Sequence, residues 1–361
     1  MHSTAADEAR RRLQAVRRRM REQKLAALLV LDAANIRYLT GFSGEGVQAF
    51  VTSRSAWLLA VHRAVERAAE QVVAFEVIDH KERPGFVTKW AGRHAGRTIG
   101  VEGSISYSAF VGRRKALRPA RLKPCDTVRQ CRAVKSPAEI ACLRRAQREA
   151  EAIFETFLRN LRPGMTERQA HHRLVELTYA NPALDGPSFD PIVAAGPSAW
   201  APHSRYTDRK LRRRDAVIID MGVRYRGYCS DMTRTVFLGQ PTRAMREVYA
   251  IVLEAQQRAI AAIRAGVAGR EVDAAARDLI NERGHGDAFA HGLGHGIGYE
   301  VHEPPGLTGS KAPLEAGVVL TVEPGIYLQG RFGVRIEDTV AVTADGCENL
   351  TSTPKGITVI D

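Results

Sequence analysis

The feature that most constrains this chain is a set of carboxylates placed at the ends of apolar strand cores. Val217-Ile218-Ile219 runs into Asp220, and a turn through Tyr225-Arg226-Gly227-Tyr228 returns the chain to Asp231. Val318-Val319-Leu320-Thr321-Val322 runs into Glu323. Gly333-Val334-Arg335-Ile336-Glu337-Asp338 reads as one further strand, with Arg335 and Glu337 on one face and Val334 and Ile336 on the other. Short apolar runs of this kind predict buried strands. The hairpin between Asp220 and Asp231 predicts that their side chains converge. A buried carboxylate is costly unless it is paired or binds a cation. Several together repel one another, so the pattern calls for divalent metal.

A second stretch supplies nitrogen ligands. Ala290–Pro305, AHGLGHGIGYEVHEPP, carries His291, His295 and His302, with a glycine at every second position from Gly292 to Gly298. Glycine disfavours helix and strand interiors and lets backbone approach closely. Histidine is both a common metal ligand and a proton carrier near neutral pH. Carboxylate oxygens mixed with imidazole suit Mn, Co or Zn. Two divalent ions sharing bridging carboxylates would neutralise the set most economically.

Around this centre the chain reads as two domains. Alternating short strands and helices, from a helix over 8–24 and a strand at Leu28–Leu31 to a helix over Tyr107–Leu117, predict an α/β N-terminal domain with a mixed sheet over 1–130. Further strands are expected at Ala56–Ala60, Val72–Ile78 and Thr98–Val101. Ser136-Pro137-Ala138-Glu139 then starts a helix, with serine as cap, proline at the first helical position and Glu139 completing a capping box. The second domain covers 131–361. Within it, Arg162–Glu167 and Arg264–Gly269 are similar loops, each set between two helices and followed by strands. This predicts a duplicated helix–helix–strand–strand unit with the site between its halves.

Charge follows the same division. Residues 1–130 hold 24 Lys+Arg against 12 Asp+Glu, and residues 131–361 hold 29 against 28. No aromatic-interleaved basic motif accompanies the excess, so an arginine-rich solvated face is expected rather than a nucleic-acid site. No apolar run reaches the ~18 residues that span a bilayer. The arginine-rich N-terminus lacks an apolar core segment and reads as an amphipathic helix, not a signal peptide. Five scattered cysteines without a CxxC pair point to a reducing, cytoplasmic setting and away from structural zinc on thiolates.

The order Asp220, Asp231, His295, Glu323, Glu337 resembles the five-ligand signature of the pita-bread (creatinase/aminopeptidase-like) metallopeptidases. GYCSDMTRT (227–235), HGLGHGIGYEVHEPP (291–305), TVEPGIY (321–327) and GVRIED (333–338) resemble its proline-specific branch, prolidase (Xaa-Pro dipeptidase) and aminopeptidase P. NIRYLTGF (35–42) and VKSPAEIACLRRA (134–146) extend the resemblance over nearly the whole chain. It implies an α+β pita-bread catalytic domain with an internal pseudo-twofold repeat and two divalent ions, Mn first, Co or Zn also suited. Asp220 would bind one ion and His295 with Glu323 the other, Asp231 and Glu337 bridging. Glu323 would also shuttle a proton from water to the departing proline nitrogen. His302 would hydrogen-bond the scissile carbonyl oxygen. His203 and His291 match further histidines lining such sites, and Arg335 matches an arginine beside the bridging acid. Glu303 is expected to sit behind the site or in solvent.

The resemblance thus implies a cytoplasmic, homodimeric enzyme that cleaves Xaa-Pro bonds in dipeptides or short peptides. Dipeptidase is favoured slightly over aminopeptidase P. Creatinase, a relative working without metal, fits poorly with five intact ligand positions. The competing reading from another class is a non-catalytic binding protein on the same fold. Such relatives typically lose ligands, which this chain does not.

Overall fold

The computed structural model describes residues 5–201 and 205–361. Contacts divide the chain into two compact units, Met1–Arg132 and Ala133–Asp361. The first is built on a six-stranded sheet: β1 (Ala27–Val30), β2 (Val47–Thr52), β3 (Ala56–Ala60), β4 (Glu76–Asp79), β5 (Thr98–Glu102) and β6 (Arg121–Cys125), in the order β4-β3-β2-β1-β5-β6. β1 pairs antiparallel with β2 and parallel with β5, so the sheet is mixed. Leu29, Phe50, Leu59 and Ile99 form its core. The strand expected from Val72 begins only at Glu76, because Ala74 adopts a left-handed turn conformation (φ 65°) and breaks the extended run.

The second unit repeats one motif. Helices α1 (Pro137–Leu158) and α2 (Glu167–Tyr179) form the first pair, and α3 (Arg243–Ala262) and α4 (Gly269–Glu282) the second. α1 begins with the capping box read from Ser136 and Glu139. The loops inside the two pairs match bond for bond. Gly164 (φ 93°) donates to Leu211 O, whose residue donates back to Met165 O. Gly266 (φ 89°) donates to Leu314 O, whose residue donates back to Val267 O. Only glycine adopts such a φ without strain.

Strands β7 (Ile192–Ala195), β8 (Ala216–Met221) and β9 (Met232–Leu238) follow the first pair, with β10 (His295–Gly296), β11 (Glu303–Gly306) and β12 (Val319–Val322) after the second. β13 (Gly325–Leu328), β14 (Phe332–Arg335), β15 (Asp338–Val342), β16 (Cys347–Asn349) and β17 (Thr358–Ile360) complete the chain. One sheet runs β17-β9-β8-β7, a second β11-β10-β12-β15-β16, and β13 with β14 forms a hairpin between. Val217, Ile219, Met221, Met232 and Val236 pack against α1 and α2 through Phe154, Phe157 and Leu174. Leu320 and Val322 pack against α3 and α4 through Val252, Leu279 and Ile280. Strand alternation therefore turns Asp220, Asp231, Thr233 and Thr321 away from both helical layers. That interior face carries the site.

The expected strand Gly333–Asp338 proves to be two. β14 ends at Arg335, and β15 starts at Asp338 in the other sheet. At the crossing, Ile336 N donates to Pro324 O and Glu337 N donates to Thr233 O. Leaving one ladder for another puts Glu337 at the junction, where a continuous strand would have carried it past.

Candidate metal centre and active site

The acids meet because two strand pairs end at one place. β8 and β9 pair antiparallel with Thr233 opposite Asp220 and Met232 opposite Met221. Asp231, just before β9, is thus diagonal to Asp220 on the same face, within reach across an antiparallel pair. Glu323 follows β12 directly. Its amide donates to Leu293 O, pinning it against the glycine-histidine stretch. Gly294 allows that approach, since a Cβ there would stand 2.0 Å from Thr321 O.

A cavity of about 330 Å³ collects Asp220, Asp231, His291, His295, His302, Glu323, Arg335 and Glu337, with Phe189, Ile192 and Val301 as its apolar wall. His203 lies outside the described residues. Glu303 is not in solvent. Its carboxylate is buried and paired with the buried Lys135 ammonium at 3.3 Å.

Ligand-type atoms of Asp231, His295 and Glu337 lie within 4.8 Å of one another. His295 Nδ1 lies 3.1 Å from Gly296 O. Donation there leaves the Nε2 lone pair facing Glu323 Oε1 at 3.4 Å and Asp231 Oδ2 at 3.8 Å. Burial, then the neighbouring His302, pushes the His295 pKa down to about 4, so the ring is neutral and offers these carboxylates no proton. Burial drives both Asp231 and Glu337 well above the usual carboxylate range, reinforced by repulsion from Glu337 and Asp220 at the first and from Glu323 and Asp220 at the second. Burial, opposed by Arg335 and assisted by Asp220, pushes Glu323 up to about 8. Asp220 Oδ1 is buried without a hydrogen-bond partner among the described residues. A lone pair aimed at carboxylates, crowded acids and an orphaned oxygen are all satisfied by divalent cations, so the donor set fits them.

The remaining polar groups brace the acids. Arg335 donates to Asp220 Oδ2 through Nη2, to Tyr327 Oη at 2.8 Å through Nη1 and to Thr233 Oγ1 at 3.1 Å through Nε. Burial opposes its charge, but Tyr327, Asp220, Glu323 and Glu337 hold its pKa well above the ordinary arginine value. Tyr327 Oη in turn lies 2.8 Å from His291 Nε2, whose other nitrogen lies 2.8 Å from Gly292 O. Donation from His291 Nδ1 to that carbonyl fixes Nε2 as acceptor for the Tyr327 hydroxyl. Thr233 and Tyr327 carry no role in the motif reading. Thr233 leaves only a partial trace in the sequence: Asp231, Thr233 and Thr235 recur at every second position, but Arg234 interrupts the apolar positions between them.

Comparison with known proteins agrees with this geometry. The model for metallopeptidase family M24 matches residues 141–344, and that for the creatinase/prolidase N-terminal domain matches residues 12–134. An uncharacterised peptidase of Bacillus subtilis is 38% identical, over 92% of this chain and 95% of its own length. The Xaa-Pro dipeptidase of Pyrococcus furiosus is 34% identical over 95% and 98%. Among solved structures, an Xaa-Pro dipeptidase from Bacillus anthracis superposes with TM-score 0.91 at 35% identity, covering 98% of this chain and all of that one (100%). An X-Pro aminopeptidase from Thermotoga maritima gives TM-score 0.87 at 34% identity, covering 96% and 99%. A catalytic-domain match over more than half the chain, a relative alike from end to end and an acid-histidine cavity in the interior sheet face lead to one conclusion: the chain belongs to metallopeptidase family M24.

Proposed function

We propose that this chain is an Xaa-Pro dipeptidase working with two divalent cations, manganese first among them. The observation that carries the reading is the single cavity in which five acid and imidazole ligand candidates stand opposite an apolar wall. Its volume of about 330 Å³ lies within the range of small-molecule sites.

Asp220, Asp231, His295, Glu323 and Glu337 would hold the cations, with Asp231 and Glu337 shared between them. Cations held there would lower the pKa of water and polarise the scissile carbonyl. Glu323 accepts the attacking water's proton and returns it to the prolyl nitrogen as the C–N bond breaks. That nitrogen carries no hydrogen in the substrate, so departure as free proline requires a delivered proton. His302 donates to the carbonyl oxygen as negative charge develops. Arg335 balances the acids and, through Tyr327, holds the His291 ring in place. His203 belongs to the same proposed set of active-site histidines. Phe189, Ile192 and Val301 receive the substrate's apolar groups and exclude water.

Domains of 1–130 and 131–361, a homodimeric assembly and a cytoplasmic location complete the proposal. The free state of all five cysteines supports a reducing compartment. Among the described residues no helix is long and apolar enough to cross a membrane. Sedimentation of the purified protein tests the dimer.

Aminopeptidase P action is the second reading, favoured by the likeness to the Thermotoga maritima enzyme, which also runs over nearly the whole chain. Hydrolysis of Ala-Pro and Ala-Pro-Ala, with Mn added and products identified, separates the two. Cleavage of Ala-Pro alone establishes the dipeptidase. Alanine release from the tripeptide establishes the aminopeptidase. Cleavage of neither with Mn, Co or Zn overturns both.

A further inference from the structure

Behind the cavity wall, outside the proposed cation ligands, lies a buried ion pair that the mechanism does not use. The side chains of Lys135 and Glu303 are 2% and 1% exposed, with Lys135 Nζ 3.3 Å from Glu303 Oε2. The other carboxylate oxygen, Oε1, accepts from the Glu300 amide at 3.1 Å. Gly298 N donates to Glu300 O at 3.0 Å, and Cys229 N donates to Gly298 O at 2.8 Å. The carboxylate therefore sits beneath a turn from Gly298 to Glu303, in space that only a glycine at 298 leaves open. A Cβ there would stand 2.6 Å from Glu303 Oε2. The turn projects Val301 and His302 into the cavity, with the His302 ring centre 4.2 Å from that of His295.

Lys135 is anchored independently. Its amide donates to Gly317 O at 2.8 Å, and Val134 bridges Val318 at the entry to β12, the strand that leads to Glu323. Its ammonium also donates to Ala133 O at 3.2 Å. A single residue thus ties the lead-in to the Glu323 strand to the underside of the turn bearing His302.

We infer that the Lys135–Glu303 pair is a positioning device for His302, fixing its distance from the Glu323 side of the cavity. The inference rests on the function proposed above for its kinetic consequence, but not for its structural one. A pair this deep contributes little net stability against an apolar replacement, so its value lies in the geometry it specifies. Misplacing a group that binds the carbonyl oxygen lowers turnover while leaving substrate and cation binding nearly intact.

The test combines Lys135→Met with His302→Ala in a double-mutant cycle on the Mn-loaded enzyme. kcat, KM, cation content and amide hydrogen exchange over residues 298–303 are all measured. Lys135→Met is expected to lower kcat about tenfold to a hundredfold. KM should stay within about twofold and cation content should not change. In the His302→Ala background the same change should cost nothing further, because the group it positions is gone. Exchange over 298–303 should quicken. An unchanged kcat, an equal loss in both backgrounds, or loss of cation together with activity overturns the inference. If the wild type cleaves no Xaa-Pro substrate, the functional reading fails and exchange alone decides. Quickened exchange then upholds the pair as the brace of the turn, and unchanged exchange removes it. Glu303→Gln keeps the side chain's shape and its acceptor for Glu300, and serves in the same cycle if Lys135→Met does not fold.

Discussion

Thr233 donates its hydroxyl to Glu337 Oε2 at 2.7 Å across 104 residues of sequence, while its Oγ1 accepts from Arg335 Nε at 3.1 Å. Thr233 also stands directly opposite Asp220 in the β8–β9 ladder. One small side chain therefore orients an acid from the second half of the repeat and neighbours one from the first. Thr233→Val preserves shape and removes both hydrogen bonds. Groups that orient metal ligands typically account for about tenfold to a hundredfold in cation affinity. That loss is expected for Thr233→Val in a chelator-competition titration, with Thr233→Ser close to wild type. Equal affinities for Val and wild type would show that Glu337 needs no such brace.

Glu337 and His302 line the same cavity, and the proposed roles separate them experimentally. Glu337→Ala should lose bound cation and activity together with the fold retained, because it removes a shared ligand. His302→Ala should keep its cations and lose about 10²- to 10³-fold in kcat, the cost typical of one donor to a developing oxyanion. Elemental analysis beside single-turnover kinetics distinguishes the patterns. Full cation content in Glu337→Ala would remove it from the ligand set.

Much of this architecture was legible locally, and what was hidden is tertiary. The apolar cores before Asp220 and Glu323 and the Ser136 capping box depend on neighbours a few residues away, where strand periodicity and helix-end chemistry operate. The sheet change at Ile336–Glu337 was not legible, since alternation continues smoothly through Gly333–Asp338 while the hydrogen-bond partners switch. Nor were Tyr327 and Lys135. A tyrosine in a hairpin and a lysine ahead of a helix look like ordinary core and surface residues until Arg335 and Glu303 are brought against them. Glu303 itself shows the difficulty, because its neighbours left a place behind the site and one in solvent both open, and only the fold decides for the first by burying it on a counter-ion.

Stability of the metal-stripped protein should fall as pH rises. The Glu323 pKa lies at about 8 in the folded protein against an ordinary value of 4.5. The native state therefore keeps a proton that the unfolded chain releases in that window. The favourable contribution is fully present below about 4.5 and is lost as pH climbs through about 8. Asp231 and Glu337, also raised, act in the same direction. Because cations displace these protons, their affinity should rise across the same range. Thermal unfolding of chelator-treated protein from pH 5 to 8, with and without Mn, checks both signs. A melting temperature that rises with pH after stripping would contradict the buried, crowded state of the acids.

The residue after Glu337 holds the site from behind. Asp338 is fully buried and accepts from Arg234 Nη2 at 2.8 Å, Lys355 Nζ at 2.7 Å and Asn349 Nδ2 at 2.7 Å. Arg234 directs its other donors to Glu337 O at 2.5 Å, to Thr233 O at 2.9 Å and to the carbonyls of Thr353 and Pro354. This network fixes the peptide at which the chain crosses between sheets, and with it the direction of the Glu337 side chain. Burial works against the Asp338 charge, but Arg234 and Lys355 overcome it and hold the carboxyl below its ordinary pKa. Asp338→Ala would leave the Arg234 guanidinium, 3% exposed, without its counter-ion. Removing one partner of a buried pair costs about 3–5 kcal/mol. Asp338→Ala is thus expected to lower the denaturation free energy by about that amount, and to weaken cation binding because Glu337 loses its fixed backbone. Urea unfolding of the metal-stripped protein isolates the first effect, and cation titration of the folded variant the second. A variant as stable as wild type, with unaltered cation affinity, would mean that the β13–β14 hairpin and Thr233 alone suffice to place Glu337.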